Sequence, residues 1–149
     1  MSGILGKRHT AEYVYDFAVD GGANGSNIVL SDKDGKAPIP IGAIITGVTA
    51  KVLTAPLSAG SATISWGNDD DEDGYSGTTI AIGSLTINTV INGWDSGAAL
   101  LWDDTNDHPI HFPVLNADDG DFIILISTAD LTAGKMVFFV DYYLPEASA

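Results

Sequence analysis

The densest set of ligand-type side chains in the sequence is Asp69-Asp70-Asp71-Glu72-Asp73-Gly74. Asp69, Asp71 and Asp73 alternate, so their oxygens gather on one side of a loop, and Gly74 permits a sharp turn, as in loops that hold hard cations. The twelfth position counted from Asp69 is Ile80, where a helix-flanked calcium loop places a bidentate glutamate. Two readings remain: a looser calcium site in a loop between strands, or an acidic loop held in water. The second needs nothing beyond the charges themselves. No metal ligand and no cofactor is assigned.

Nucleophilic and acid–base arrangements are as sparse. Gly93-Trp94-Asp95-Ser96-Gly97 has the glycine span of a nucleophile elbow but places serine one position late, outside a strand-to-helix turn. The histidines are His9, His108 and His111. His108 and His111 are three apart, so on a strand they point to opposite faces, unless Pro109 distorts the backbone. Asp103, Asp104 and Asp107 lie near Trp102 and Trp94, giving carboxylates beside stacking surface, which is the raw material of glycoside hydrolysis. Aspartates are so frequent here that such a grouping also arises by chance. There is no phosphate-binding loop and no dinucleotide glycine pattern. The expectation is a protein without catalytic residues, not an enzyme.

The elements that would position these residues read as strands. Gly, Thr, Ser, Ile and Val are abundant, and Glu occurs only at 12, 72 and 146. That is poor material for exposed helix faces and good material for sheets and turns. Over residues 10–20, Tyr13, Tyr15, Phe17 and Val19 share one face, with Glu12, Asp16 and Asp20 on the other and Val14 and Ala18 between them, which predicts a half-buried strand. A strand is predicted over 43–53, with Ile44, Thr46, Val48, Ala50 and Val52 on one face. Ala62, Ile64 and Trp66 form a second, and the two look like a hairpin with a longish loop. Apolar parity changes between Ile82 and Leu85, so Gly83-Ser84 is read as a bulge or a break. Asn92-Gly93 suits a tight turn, 94–102 admits a helical turn, and Pro109 and Pro113 interrupt the strand over 108–115.

Two runs differ from the rest. Residues 122–126 and 136–144 are apolar on both faces. Either they are central strands covered on both sides, or their second face is buried against another subunit. Asp141 falls among Val137, Phe139 and Tyr143, where it needs a partner if buried.

The whole predicts an all-β fold: a single-domain β-sandwich of jelly-roll type with about eight strands over 10–149, preceded by a flexible N-terminal arm over 1–9. Its 149 residues suit one domain. A formal net charge of −14 repels phosphate, so neither nucleic acid nor an anionic membrane is an expected partner. No apolar run of membrane-spanning length occurs, and the N-terminus lacks the apolar core of a signal peptide. With no cysteine there is no disulfide framework.

Three segments carry a resemblance. They are Ile39-Pro40-Ile41-Gly42-Ala43-Ile44-Ile45-Thr46-Gly47-Val48, Ala62-Thr63-Ile64-Ser65-Trp66-Gly67, and Leu131-Thr132-Ala133-Gly134-Lys135-Met136-Val137 running into the aromatic strand that follows. Together they resemble small virion proteins of tailed bacteriophages, notably the head decoration or cement proteins. The resemblance implies a homotrimer bound to the major capsid protein on the outer capsid surface, assembled in the host cytoplasm, with the arm over 1–9 lying on the shell. It implies no catalytic residues. A tail or fibre component is one alternative. A carbohydrate-binding β-sandwich using Trp66, Trp94 or Trp102 as stacking platforms is another.

Overall fold

The period-2 segments become strands in a computed structural model, which describes residues 7–69, 72–76, 79–92, 100–103, 108–111, 114–116 and 121–144. In chain order the strands are β1 (Arg8–Asp16), β2 (Asn27–Val29), β3 (Ile44–Leu57), β4 (Thr63–Gly67), β5 (Ile80–Ala81), β6 (Val90–Asn92), β7 (Leu100–Asp103), β8 (His108–His111), β9 (Val114–Leu115), β10 (Ile123–Ser127) and β11 (Ala133–Tyr143). Helical structure among the described residues amounts to the single turn α1 (Phe17–Asp20) and two short 3-10 turns, Lys33–Gly35 and Ile82–Ser84.

One sheet runs β1-β11-β3-β6, with β9 also on β3; the other runs β2-β10-β4-β5. Both are antiparallel. β7 and β8 pair separately. The chain crosses from one large sheet to the other after β1, β2, β3, β5, β9 and β10, and the two sheets make the β-sandwich that the sequence predicts. The sheets bury their facing sides on each other, and the core is the layer between them.

Aromatic rings tie that layer together. Phe122 sits centrally, with ring centroids 5.0 Å from Tyr13, 5.8 Å from Tyr75 and 5.2 Å from Phe138. Trp66 of β4 meets Phe138 of β11 across the sandwich at 5.2 Å. Pairs of this kind add about 0.5–1.5 kcal/mol each beyond the area they bury. Tyr13 and Tyr15 bury their rings and donate their hydroxyls to the Ala37 and Gly21 carbonyls at 2.6 and 2.7 Å. Burial pushes both phenols well above the ordinary tyrosine pKa; for Tyr15 the nearby Asp20 and Asp16 carboxylates add to this.

Several sequence expectations change on folding. β1 starts at Arg8, so Arg8 and His9, expected in the arm, pair with Tyr143 and Tyr142. It ends at Asp16, four residues before the alternation does. The Asp16 carboxylate accepts from the Ala18 N–H at 3.0 Å and caps α1, which leaves Val19 71% exposed. β3 and β4 are not a hairpin: they belong to opposite sheets, so their apolar sides meet face to face and not edge to edge. The single face expected on β3 holds from Val48 to Val52. Asp141 then pairs with Gly47 but Tyr142 with Ile45, so Thr46 is an extra residue. This bulge flips parity, burying Ile45 and turning Ile44 outward. Between Ile82 and Leu85 the expected break is the 3-10 turn, and bonding to β3 resumes at Asn88 and Thr89, just before β6, leaving Ile87 exposed.

At the far end of β3, Gly134 has φ +144, and a Cβ there would lie 3.1 Å from Cα and Cβ of Pro56. Only glycine fits that crossing of β11 over the irregular end of β3. Near the start of β3, the buried Asn116 amide donates to the Ile39 and Pro40 carbonyls at 2.8 and 2.9 Å. It holds the approach to the strand against the segment after β9.

Candidate functional site

The residues singled out for chemistry are dispersed. In the acidic loop Asp69 and Glu72 are exposed and Asp73 is half-buried, while Asp71 lies outside the described residues. Glu72 accepts from the Asn27 amide at 2.7 Å, and the Tyr75 and Ser76 N–H groups donate to the Trp66 carbonyl at 3.1 Å. The loop is thereby anchored to β2 and β4. Among the described residues no three acidic or histidine side chains converge as a metal site would require.

Trp66 is 1% exposed and packs on Phe138, so it is a core residue and not a sugar platform. Its place follows from parity: Ala62, Ile64 and Trp66 all point into the sandwich. Trp102 and Asp103 belong to β7, and His108 and His111 end β8, with Asp103 opposite His108. Trp94, Asp95, Ser96, Gly97, Asp104 and Asp107 lie outside the described residues. His9 stacks on Tyr142 with centroids 5.3 Å apart and planes 15° apart.

What the fold does assemble is the outer face of the β1-β11-β3-β6 sheet. Residues paired directly across strands share a face, and the registers give rows. One row is Val14, Val137, Lys51 and Val90. The next is Glu12, Phe139 and Thr49. Beyond it come Thr10, Asp141 and Gly47, then Arg8, Tyr143, Ile44 and Leu115. Val137 is buried yet stands apart from the core cluster between the sheets, because it is shielded by its neighbours on this outer face. Val90 is 54% and Leu115 61% exposed at the margin. The doubly apolar run of β11 is therefore a central strand, flanked by β1 and β3, whose second side looks out of the sandwich.

The polar groups of this face are placed around that apolar centre. Asp141 accepts from Arg8 at 3.1 Å and from the Thr10 hydroxyl at 2.6 Å, so the aspartate among apolar residues has the partners it needs. Lys135 stands 3.9 Å from Asp16. Glu12 and Lys51 have no ion-pair partner among the described residues.

The adjacent edge of the sheet is closed at one end. Lys33 donates to the Val14 carbonyl at 2.8 Å and to Asp20 at 2.6 Å, and Asp20 also accepts from the Asp16 N–H at 2.8 Å. These backbone groups point away from β11, where a further strand would pair, so the ion pair blocks addition over Val14–Asp16. The sequence shows no sign of the pair, since Asp20 ends α1 and Lys33 opens a 3-10 turn 13 residues later. Their types alone give no reason to join them.

No protein-family model and no curated protein matches the chain. Solved structures do. A chain in the acidic stable capsid structure of Helicobacter pylori bacteriophage KHP30 is similar at a TM-score of 0.52 and 17% identity, covering 96% of this chain and 92% of that one. A chain in the cyanophage Pam1 capsid asymmetric unit is similar at 0.58 and 17%, covering 96% and 89%. A chain in the capsid of Ralstonia phage GP4 is similar at 0.53 and 12%, covering 99% and 90%. At these identities the likeness is one of fold.

Proposed function

We propose that this chain is a structural protein of a phage virion, and within that a decoration protein that binds the outer surface of the head and stiffens it. The observation that carries the reading is the end-to-end fold match to chains in three phage capsid structures, each covering at least 96% of this chain. The match takes in at least 89% of those chains too, so it spans the fold and is not confined to a shared fragment. The segments resembling head decoration proteins point the same way.

The physical character of the chain agrees. A net charge of −14 keeps it off packaged nucleic acid and suits a position outside the shell. A sheet face with an apolar centre and a polar rim suits contact with protein. In this reading the partner is the major capsid protein, the N-terminal residues up to Lys7 lie along the shell, and the chain does no chemistry of its own. Binding to the assembled shell and not to its free subunits stabilises the assembled state by mass action.

The test uses heads of the encoding phage prepared without this chain. Purified chain is added, the heads are pelleted, and their thermal disruption is followed by light scattering. The expected result is saturable co-pelleting with heads, none with unassembled capsid subunits, and a higher disruption temperature. A chain that stays in the supernatant, or that decorates only tails in electron micrographs, overturns the reading.

A further inference from the structure

We propose that the outer face of the β1-β11-β3-β6 sheet is a two-fold contact between two copies of this chain. The charge distribution selects the occupant. Among the described residues, three of the six bases of the chain, Arg8, Lys51 and Lys135, stand on this face together with three acids, Glu12, Asp16 and Asp141. The described charges of the face therefore balance, on a strongly acidic molecule. It is a place where two such molecules can meet without opposing like charge.

The two unpaired charges complete the fit. Glu12 on β1 and Lys51 on β3 flank β11, two strand spacings apart across the sheet and one row apart along it, roughly 12 Å in all. Their rows are adjacent, with Phe139 in one and Val137 in the other. A two-fold axis lying in the face and crossing β11 between Val137 and Phe139 sets Glu12 of each copy on Lys51 of the other. Each residue then supplies its partner's missing charge twice, as isologous contacts do. Val14 and Phe139, both half-buried, pack at the centre over the buried Val137, and the internal pairs Arg8–Asp141 and Lys135–Asp16 form the rim. The unit is a pair, in place of the three copies that the resemblance implies.

The contact is tested on the purified chain alone, so its failure leaves the shell-binding experiment untouched. Light scattering and sedimentation are run across concentration. The expected species has the mass of two chains of 15.5 kDa. Glu12→Lys or Lys51→Glu alone opposes like charges at both symmetric positions and weakens association by about tenfold or more. The double reversal E12K/K51E restores it. Val90→Glu weakens it on the same face, while Val29→Glu, on the opposite sheet, leaves it unchanged. Circular dichroism confirms that each variant is folded. A monomer at every concentration, a stable three-chain mass, single reversals that associate like the parent, or a double reversal that fails to restore the pair each overturns the proposal.

Discussion

Replacing Lys33 by methionine isolates one interaction. The thioether keeps most of the apolar stem and removes only the ammonium. That ammonium bonds Asp20 at 2.6 Å and the Val14 carbonyl at 2.8 Å, with side-chain exposures of 15% for Lys33 and 9% for Asp20. Neither bond is well replaced by solvent at that burial. A hydrogen bond to a charged group contributes about 1.5–3 kcal/mol net. Removing one partner of a fully buried pair costs about 3–5 kcal/mol, because the other charge is left behind. Asp20 keeps the Asp16 N–H as a donor and touches solvent, which places Lys33→Met below that range. The expected loss is about 2–3 kcal/mol, seen in urea as a lower midpoint at unchanged slope. In thermal unfolding it corresponds to a fall of about 5–10 °C. Lys36→Met, at an exposed neighbour, is the control and stays within about 0.5 kcal/mol. A loss from Lys33→Met no larger than that of the control would refute the reasoning: the ion pair would then be a surface contact in energetic terms. The substitution also unblocks the edge of β1, so slow aggregation at high concentration is expected to accompany the destabilisation.

Ser65 predicts the opposite sign. Its hydroxyl is buried without a hydrogen-bond partner among the described residues, so Ser65→Ala removes a desolvated polar group and raises the urea midpoint by up to about 1 kcal/mol equivalent. A clear loss of stability there would mean that the hydroxyl is bonded. At high pH, the folded protein holds the Tyr13 and Tyr15 protons beyond the point at which the unfolded chain releases them, since burial raises both phenols. Their contribution is intact below about pH 10, the ordinary tyrosine value, and is lost progressively above it. Urea midpoints from pH 8 to 11 should be flat and then fall, with tyrosinate absorbance appearing together with unfolding; early tyrosinate absorbance in the folded protein would contradict this.

Local alternation was enough to mark β1, β3 and β4 and the inward set Tyr13, Tyr15, Val48, Ala50, Val52, Ile64 and Trp66, because the pleat sends successive side chains to opposite faces whatever their partners. Continuous apolar runs marked 122–126 and 136–144 as covered on both faces, and the resemblance of three segments already pointed to phage virion proteins. Composition set the acidic character that argues against nucleic acid. Alternation could not say which strands pair. Two strands adjacent in sequence look alike whether they lie side by side or face each other across a core, and β3 and β4 do the latter. Nor could it place Thr46, since a bulge is defined by the partner strand that skips it. The aspartate loop looked most like a site because its residues are consecutive. Glu12, Lys51, Val137 and Phe139, and the Asp20–Lys33 pair, are far apart in the chain. Only the pairing of β1 and β3 on either side of β11, and the packing of the Lys33 turn against the end of β1, bring them together.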